Sequence, residues 1–491
     1  MKEQRLEKLL TVSRALSAER DREKLLAMIL DTAMELAHCD AGTLYLKEDT
    51  GLAFKRMVTL SQNVRLGGHD GPITLPPVPL SESYVCALSA LRSETVCIDD
   101  VRLDKRFDFS GPLRYDEMTG YRTQSMLVVP MTDDRGETIG VTQLINAKDG
   151  RGGTVPFDES VIPIISALSS QAAICITNMR YAEQVRDLLD SLVAALSAAI
   201  DERTPYNANH TRNMVSYASR FLDRLDETGS PCRFDENRRR SFLLAVGLHD
   251  VGKLAVPLEV MDKQTRLGPA LSPMLERLKY ISLALRLDLA EGRITAEEHA
   301  SRENTLGRTR ALALRLDGSG FLSDEDEEEL RSLAKEKYLS PDGETLPFIN
   351  EREYSCLSIK RGTLTPDERR VMESHAAATA RILSHVTFPR EYSSVPLWAA
   401  SHHERLDGRG YPKGLTARDI PFETRLLTVL DVFEALTAKD RPYKAPMPAE
   451  KALSILHGMA DGGAVDGEVL TLFEKTLFPD KASLPEKEES E

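Results

Sequence analysis

The spacing of apolar residues changes twice along the chain. Leu9, Leu10, Val12 and Leu16, then Leu25, Leu26, Met28, Ile29, Ala33 and Leu36, recur three and four positions apart, which predicts two amphipathic helices. Short apolar runs bounded by turn residues follow, at Ala41 to Leu46, Ser125 to Pro130 and Gly140 to Ile145, and read as strands. Asp133-Asp134-Arg135-Gly136 between the last two predicts a hairpin turn. Residues 1–180 are therefore expected to form an α+β unit on an antiparallel sheet. From Val161 to Ile200 no Gly or Pro follows Pro163, and Ile174, Ile176, Met179, Ala182, Val185, Leu189, Leu192, Leu196 and Ile200 keep helical spacing, so one connecting helix is predicted over about 161–200. That helix either packs on its own domains or forms the seam of a parallel homodimer. From Asp201 to about Leu477 the pattern is helix and loop throughout, which predicts an all-α second domain over 201–480. Residues 481–491 form a polar, acidic tail.

Length and composition narrow this picture. A chain of 491 residues allows about three units of ordinary size. A formal net charge of -14 disfavours DNA as a partner but leaves room for a local basic pocket that takes a small phosphorylated ligand. No apolar run is expected to reach the roughly 20 residues that cross a bilayer, and the N-terminus is charged, so no membrane partner and a cytoplasmic location are expected. The six cysteines show no CxxC spacing and read as reduced structural thiols. Any metal must then be held by His and carboxylate.

The candidates for that role lie in the second half: His402-His403 at the head of the stretch that runs through Asp407-Gly408-Arg409-Gly410-Tyr411-Pro412, and His249-Asp250 followed by Val251-Gly252-Lys253. Asp431 sits in Leu426-Leu427-Thr428-Val429-Leu430-Asp431-Val432-Phe433, a helix apolar on every side, where a lone carboxylate is costly unless it is paired or binds a cation. His210 and His375 lie in helical contexts too. Adjacent residues on a helix point about 100° apart, so a His-Asp or His-His pair can reach two neighbouring ions.

In this order, with Asp201 to Tyr206, Leu364 to Glu368, Ile420-Pro421, Arg425, and Asp431 to Thr437 leading to Arg441-Pro442-Tyr443-Lys444, the segments resemble an HD-GYP domain, a helical HD-superfamily phosphohydrolase of bacterial cyclic di-GMP turnover. The resemblance implies that His210, His249, Asp250, His375, His402, His403 and Asp431 ligate two divalent ions, iron or manganese, with Asp250 as the bridge. It implies in-line attack of an activated water on phosphorus, giving pGpG and onward GMP. Lys253 would hold a non-bridging oxygen or assist the leaving group; Arg441 and Lys444 would meet substrate phosphates. Tyr411 would stack on a base or shape its Gly-rich loop. Some family members carry a Glu four residues before the first ligand histidine that helps hold a third ion; here that position is Tyr206, which favours two. A further departure is the 122 positions between Lys253 and His375, which mark residues about 265–356 as a helical insertion, either a lid or partner surface or a tolerated excursion. Alternatives to cyclic di-GMP are another cyclic dinucleotide such as cGAMP, and a non-catalytic binding module that recruits partners.

The first half resembles a GAF domain through Ala41 to Leu46, Val96 to Asp100, Arg106-Phe107, Thr119 to Pro130 and Ile139 to Asn146. Asn146, Lys148, Phe157, Asp158 and Glu159 are similar to the signature of GAF domains that bind cyclic nucleotides, with Ala147 interposed. The resemblance implies a sensor for a cyclic nucleotide or another small ligand, or a purely dimerising module; the pocket residues are left unknown.

Overall fold

The computed structural model describes residues 11–203, 209–340, 342–438 and 446–479. The chain divides into two compact units, Met1–Leu188 and Leu189–Glu491. Tyr206, Arg441, Lys444 and the tail at 481–491 lie outside the described residues.

In the first unit, strands β1 (Cys39–Glu48), β2 (Gly51–Thr59), β3 (Val64–Leu66), β4 (Val96–Ile98), β5 (Met126–Thr132), β6 (Thr138–Lys148) and β7 (Thr154–Val155) form one antiparallel sheet. The order is β3-β2-β1-β6-β5-β4, with β7 on β6. Side chains alternate between faces along a strand. Leu44 and Leu46 of β1 accordingly join one core with helix Arg22–Ala37 and the start of helix Ile162–Asp201, while Tyr45 joins another with helix Val85–Arg92. Both faces are covered, which is why β1 reads as a continuous apolar run rather than an alternating one. The predicted hairpin turn forms where expected: Asp133 Oδ1 accepts from the Arg135 and Glu137 amides, and Gly136 takes φ 81°.

Asn146 adopts φ 59° and clips the Tyr121–Gln124 segment to β6, its side chain accepting from the Gln124 amide at 2.7 Å and donating to the Arg122 carbonyl at 2.7 Å. The Lys148 ammonium donates to Thr154 Oγ1, and Asp158 caps the turn before the long helix. The described cysteines are free thiols, and burial pushes Cys39 and Cys86 up to about 12.

Helix Ile162–Asp201 runs 40 residues without a break, and the division between the units falls inside it. It also corrects the hydropathy reading. The segment Glu159–Asp201 is long and apolar enough to cross a membrane by length and composition, although half of its most apolar window is buried within the protein. Leu168, Ala172, Ala173 and Ile176 of this helix pack in the core under the sheet.

The second unit gathers helices His210–Glu227, Glu236–Leu248, Val395–Ala400, Phe422–Thr437, Ala449–Asp461 and Gly467–Leu477 around Phe221, Phe242, Phe433 and Phe473. Helix Pro366–Leu383 starts on a Thr365/Glu368 capping box with Pro366 in its first turn. The segment from Leu267 to Leu357 carries a separate core built on Met274, Ile281, Leu312 and Leu330, so it is a packed body. The pattern predicts a helical insertion, and the structure corrects this, because the segment also contains strands. Strands β8 (Lys337–Leu339) and β9 (Thr345–Pro347) pair as a short ribbon after helix Asp324–Leu333 ends. Tyr338 supplies the reason: its ring is buried in that core, and its hydroxyl reaches Asp288 at 3.0 Å. At the base of the segment, the buried Lys263 ammonium binds Glu368 at 2.7 Å.

Candidate metal centre

The seven residues expected to ligate metal come together from five places in the second unit. His210 opens helix His210–Glu227, His375 lies inside Pro366–Leu383, and Asp431 lies inside Phe422–Thr437. The two adjacent pairs depart from the helical placement that the sequence predicts. Helix Glu236–Leu248 ends before His249, and Asp250 has left helical geometry; helix Val395–Ala400 ends before His402 and His403. Each pair thus projects from a helix C-terminus, where the last carbonyls have no helical partner.

Backbone carbonyls orient three of the imidazoles, two of them at these helix ends and one within helix Pro366–Leu383. His249 Nδ1 faces the Val246 carbonyl, His402 Nδ1 that of Ala399 and His375 Nδ1 that of Met372, all at 2.7 Å and all three residues back. A carbonyl can only accept, so each Nδ1 carries the proton and each Nε2 presents a lone pair. The Nε2 atoms of His375 and His402 are buried and lack a hydrogen-bond partner among the described residues. Orphaned buried acceptors aimed at a common point are what a metal ion would satisfy.

The carboxylates complete two sets. Asp250 Oδ2 lies 3.4 Å from His249 Nε2 and 3.6 Å from His210 Nε2, and Asp431 Oδ1 lies 3.4 Å from His210 Nε2. Asp250 Oδ1 faces the other way, 3.5 Å from His375 Nε2 and 3.9 Å from His402 Nε2. Ligand atoms about 2.1 Å from one ion stand roughly 3 to 3.5 Å apart, so these separations suit coordination. His375, His402 and His403 form one such group, and His210, His249 and Asp431 form another.

Electrostatics keep His402, His403 and Asp250 in ligand form, whereas at His249 burial is outweighed by Asp250 and Asp431, which raise it. Burial drives His402 well below its ordinary value and brings His403 down to about 4, so both are neutral near pH 7. Burial would raise Asp250, but Lys253 and His249 outweigh it and hold the carboxyl far below the usual range. Lys253 is itself part of the site, its ammonium 2.6 Å from Asp250 Oδ2. Arg203 steadies this turn by donating to the Lys253 carbonyl at 2.5 Å and the Val256 carbonyl at 2.8 Å.

Tyr411 packs its ring 4.8 Å from that of His403 and 6.2 Å from that of His375, which places the Gly-rich loop against the histidines. Buried Glu404 pins that loop by accepting from the Lys413 and Leu415 amides at 2.7 and 2.8 Å. Gly410 has no room for a side chain, since a Cβ there would lie 2.3 Å from the Arg405 nitrogen.

Sequence reasoning missed Glu434. It is 1% exposed, its Oε2 lies 2.5 Å from His210 Nδ1, and its Oε1 accepts from Asn213 at 2.9 Å. The available signal was its position three residues after Asp431 on the same apolar helix. A carboxylate behind a ligating imidazole fixes the tautomer and strengthens the donor. Glu434→Gln is expected to weaken metal retention at the His210 set by about 10 to 100-fold, read as metal content after dialysis against graded chelator. Unchanged content would remove this role.

Comparison with known proteins separates the two halves. The GAF domain family model matches residues 21–176, and the HD domain family model matches residues 303–469. The second match contains His375, His402, His403 and Asp431, while His210, His249 and Asp250 precede it. The "3'3'-cGAMP-specific phosphodiesterase 3" of Vibrio cholerae serotype O1 is 39% identical over 124 residues, 25% of this chain and 26% of the relative. The "Cyclic di-GMP phosphodiesterase" of Thermotoga maritima is 38% identical over 117 residues, 24% of this chain and 31% of the relative. The chain thus spans between a quarter and a third of the length of these curated relatives. Among solved structures, the GAF domain from Acinetobacter phosphoenolpyruvate-protein phosphotransferase is 15% identical with a TM-score of 0.29, covering 38% of this chain and 99% of that one. The chain joins an N-terminal GAF domain, through a long helix, to a helical HD region.

Proposed function

We propose that the second unit is an HD-GYP type phosphodiesterase that opens cyclic di-GMP to pGpG and carries it on to GMP. The observation that carries this reading is Asp250, whose two carboxylate oxygens face two different groups of imidazoles. In this reading His210, His249, Asp431 and Asp250 Oδ2 hold one divalent ion, and His375, His402, His403 and Asp250 Oδ1 hold the other, iron or manganese. Such a pair supplies Lewis acidity toward the phosphate oxygens and toward the attacking water. Lys253, held against Asp250, keeps that carboxylate ionised and offers its ammonium to a non-bridging phosphate oxygen. Tyr411 shapes the loop from its histidine-facing side and offers the rest of its ring to a base. Arg441 and Lys444 are assigned to substrate phosphates by resemblance alone.

A second reading, hydrolysis of 3'3'-cGAMP, is favoured by the specificity named for the Vibrio relative. A module that only binds and recruits has less support, because all seven expected ligand residues gather in one place and Lys253 stands beside them. The deciding experiment is turnover of cyclic di-GMP and 3'3'-cGAMP by protein loaded with iron or manganese. Linear products from cyclic di-GMP support the reading, preference for cGAMP favours the second, and stoichiometric binding without turnover overturns both.

Regulation by the first unit belongs to the same proposal, in a cytoplasmic homodimer. Tyr181, Val185, Leu188, Leu192 and Leu196 are exposed at helical spacing on Ile162–Asp201, as a parallel seam requires. The double variant Leu188→Glu, Leu192→Glu is expected to run as a monomer in light scattering, and an unchanged mass would remove the seam.

A further inference from the structure

The first unit holds a cavity of about 520 Å³, the size of a small-molecule site. Its floor is the sheet face that carries Thr43, Tyr45 and Gln143. Thr43 and Gln143 are register partners across β1 and β6, so their side chains stand together, and both are buried. Gln143 offers an amide and Thr43 a hydroxyl, which makes a neutral cluster of donors and acceptors. Aromatic rings also line it: Phe54, whose ring centroid lies 4.8 Å from that of Tyr45 on the floor, together with Tyr84 and Phe109. None of Asn146, Lys148, Phe157, Asp158 and Glu159 is among the lining residues.

Charge is kept to the rim. The charged lining residues are Asp108 and Arg114, and both are exposed. Helix Ser110–Thr119 begins at the cavity with Ser110 and Gly111 and would offer its positive end to an anion. That end already meets a carboxylate, because Asp108 Oδ1 accepts from the Ser110 amide at 2.8 Å. A phosphate pushed inside would lose water without gaining a cation, and at the helix end it would meet Asp108. A flat neutral ring meets neither obstacle. The Gln143 amide has one donor and one acceptor side, which match the N–H and C=O edge of a lactam.

We propose that this cavity binds a neutral, planar, bicyclic heteroaromatic molecule with a lactam edge, read by Gln143 and packed against the aromatic side chains that line it, and that it rejects cyclic nucleotides. The site is separate from the proposed reaction centre and is tested by binding alone, so failure of either idea leaves the other standing.

The experiment is isothermal titration of the full chain with 2-quinolone, cyclic AMP and cyclic GMP. Saturable binding of one 2-quinolone per chain is expected, with no saturable binding of either nucleotide. Gln143→Leu, close in volume, is expected to weaken 2-quinolone by at least about tenfold. Ser110→Trp, which fills the mouth from the exposed rim, gives a second loss of binding should the strand substitution unfold the domain. Absence of 2-quinolone binding, displacement of 2-quinolone by cyclic GMP, or equal affinity in wild type and a folded variant would each overturn the proposal.

Discussion

Asp250→Ala is expected to lower turnover of a cyclic dinucleotide by on the order of 10³-fold or more and to empty both metal positions together. The reason is geometric. His210 and His249 stand on one side of the carboxylate and His375 and His402 on the other, so one truncation removes a ligand atom from each group. The substitution also leaves the Lys253 ammonium, 18% exposed, without its 2.6 Å partner, and neighbouring imidazoles without the charge that attracts a cation. Asp431→Ala differs in kind. Asp431 Oδ1 lies near His210, while its other oxygen is 4.0 Å from His403 Nδ1, so loss should fall mainly on the His210 set. Metal content measured beside activity separates the cases: about two ions lost for Asp250→Ala, about one for Asp431→Ala. Retention of full activity by Asp250→Ala would end the bridging assignment, and loss of a single ion would assign the carboxylate to one group only.

What could be read from the chain and what could not divide along a physical line. Asp431 stood out because a charge inside an apolar helix demands a partner, and the structure surrounds it with His210 and His403. The His249-Asp250 and His402-His403 pairs were legible as chemistry but misplaced as geometry. The helical period of the preceding residues runs up to them, and only the fold shows that both helices stop short of them. That stop matters, because it frees the carbonyls of Val246 and Ala399 to orient the imidazoles. Glu434 was visible three residues after Asp431, yet its partner is His210, 224 positions away in sequence. Local pattern carries no information about such a pairing. The β8–β9 ribbon escaped for a related reason: three-residue strands are too short for their period to show, and Tyr338 is held there by a core that forms only in three dimensions. The GAF cavity was unreadable as well, since cross-strand register sets Thr43 beside Gln143.

Gly252→Ala is expected to destabilise the second unit by about 3 kcal/mol and to lower turnover by about 10²-fold through displacement of His375. A Cβ at Gly252 would lie 1.9 Å from the His375 carbonyl oxygen and 2.5 Å from the Thr379 nitrogen. Both obstacles are backbone, so no rotamer change relieves them. The turn after His249-Asp250 or helix Pro366–Leu383 must move, and the first adjoins, while the second contains, residues proposed as metal ligands. Thr379 ties the two together now, its hydroxyl accepting from the Gly252 amide and donating to the His249 carbonyl, both at 3.0 Å. Gly307 provides the contrast within the same unit. It lies in helix Ala296–Asp317 with nothing within 4 Å of its would-be Cβ. Gly307→Ala should therefore stabilise the protein by about 0.5 to 1 kcal/mol through helix propensity and leave turnover unchanged. Thermal unfolding and steady-state kinetics on the two variants check the pair. Equal melting temperatures and equal rates would mean that the approach of Gly252 to helix Pro366–Leu383 does not hold the two ligand groups in register.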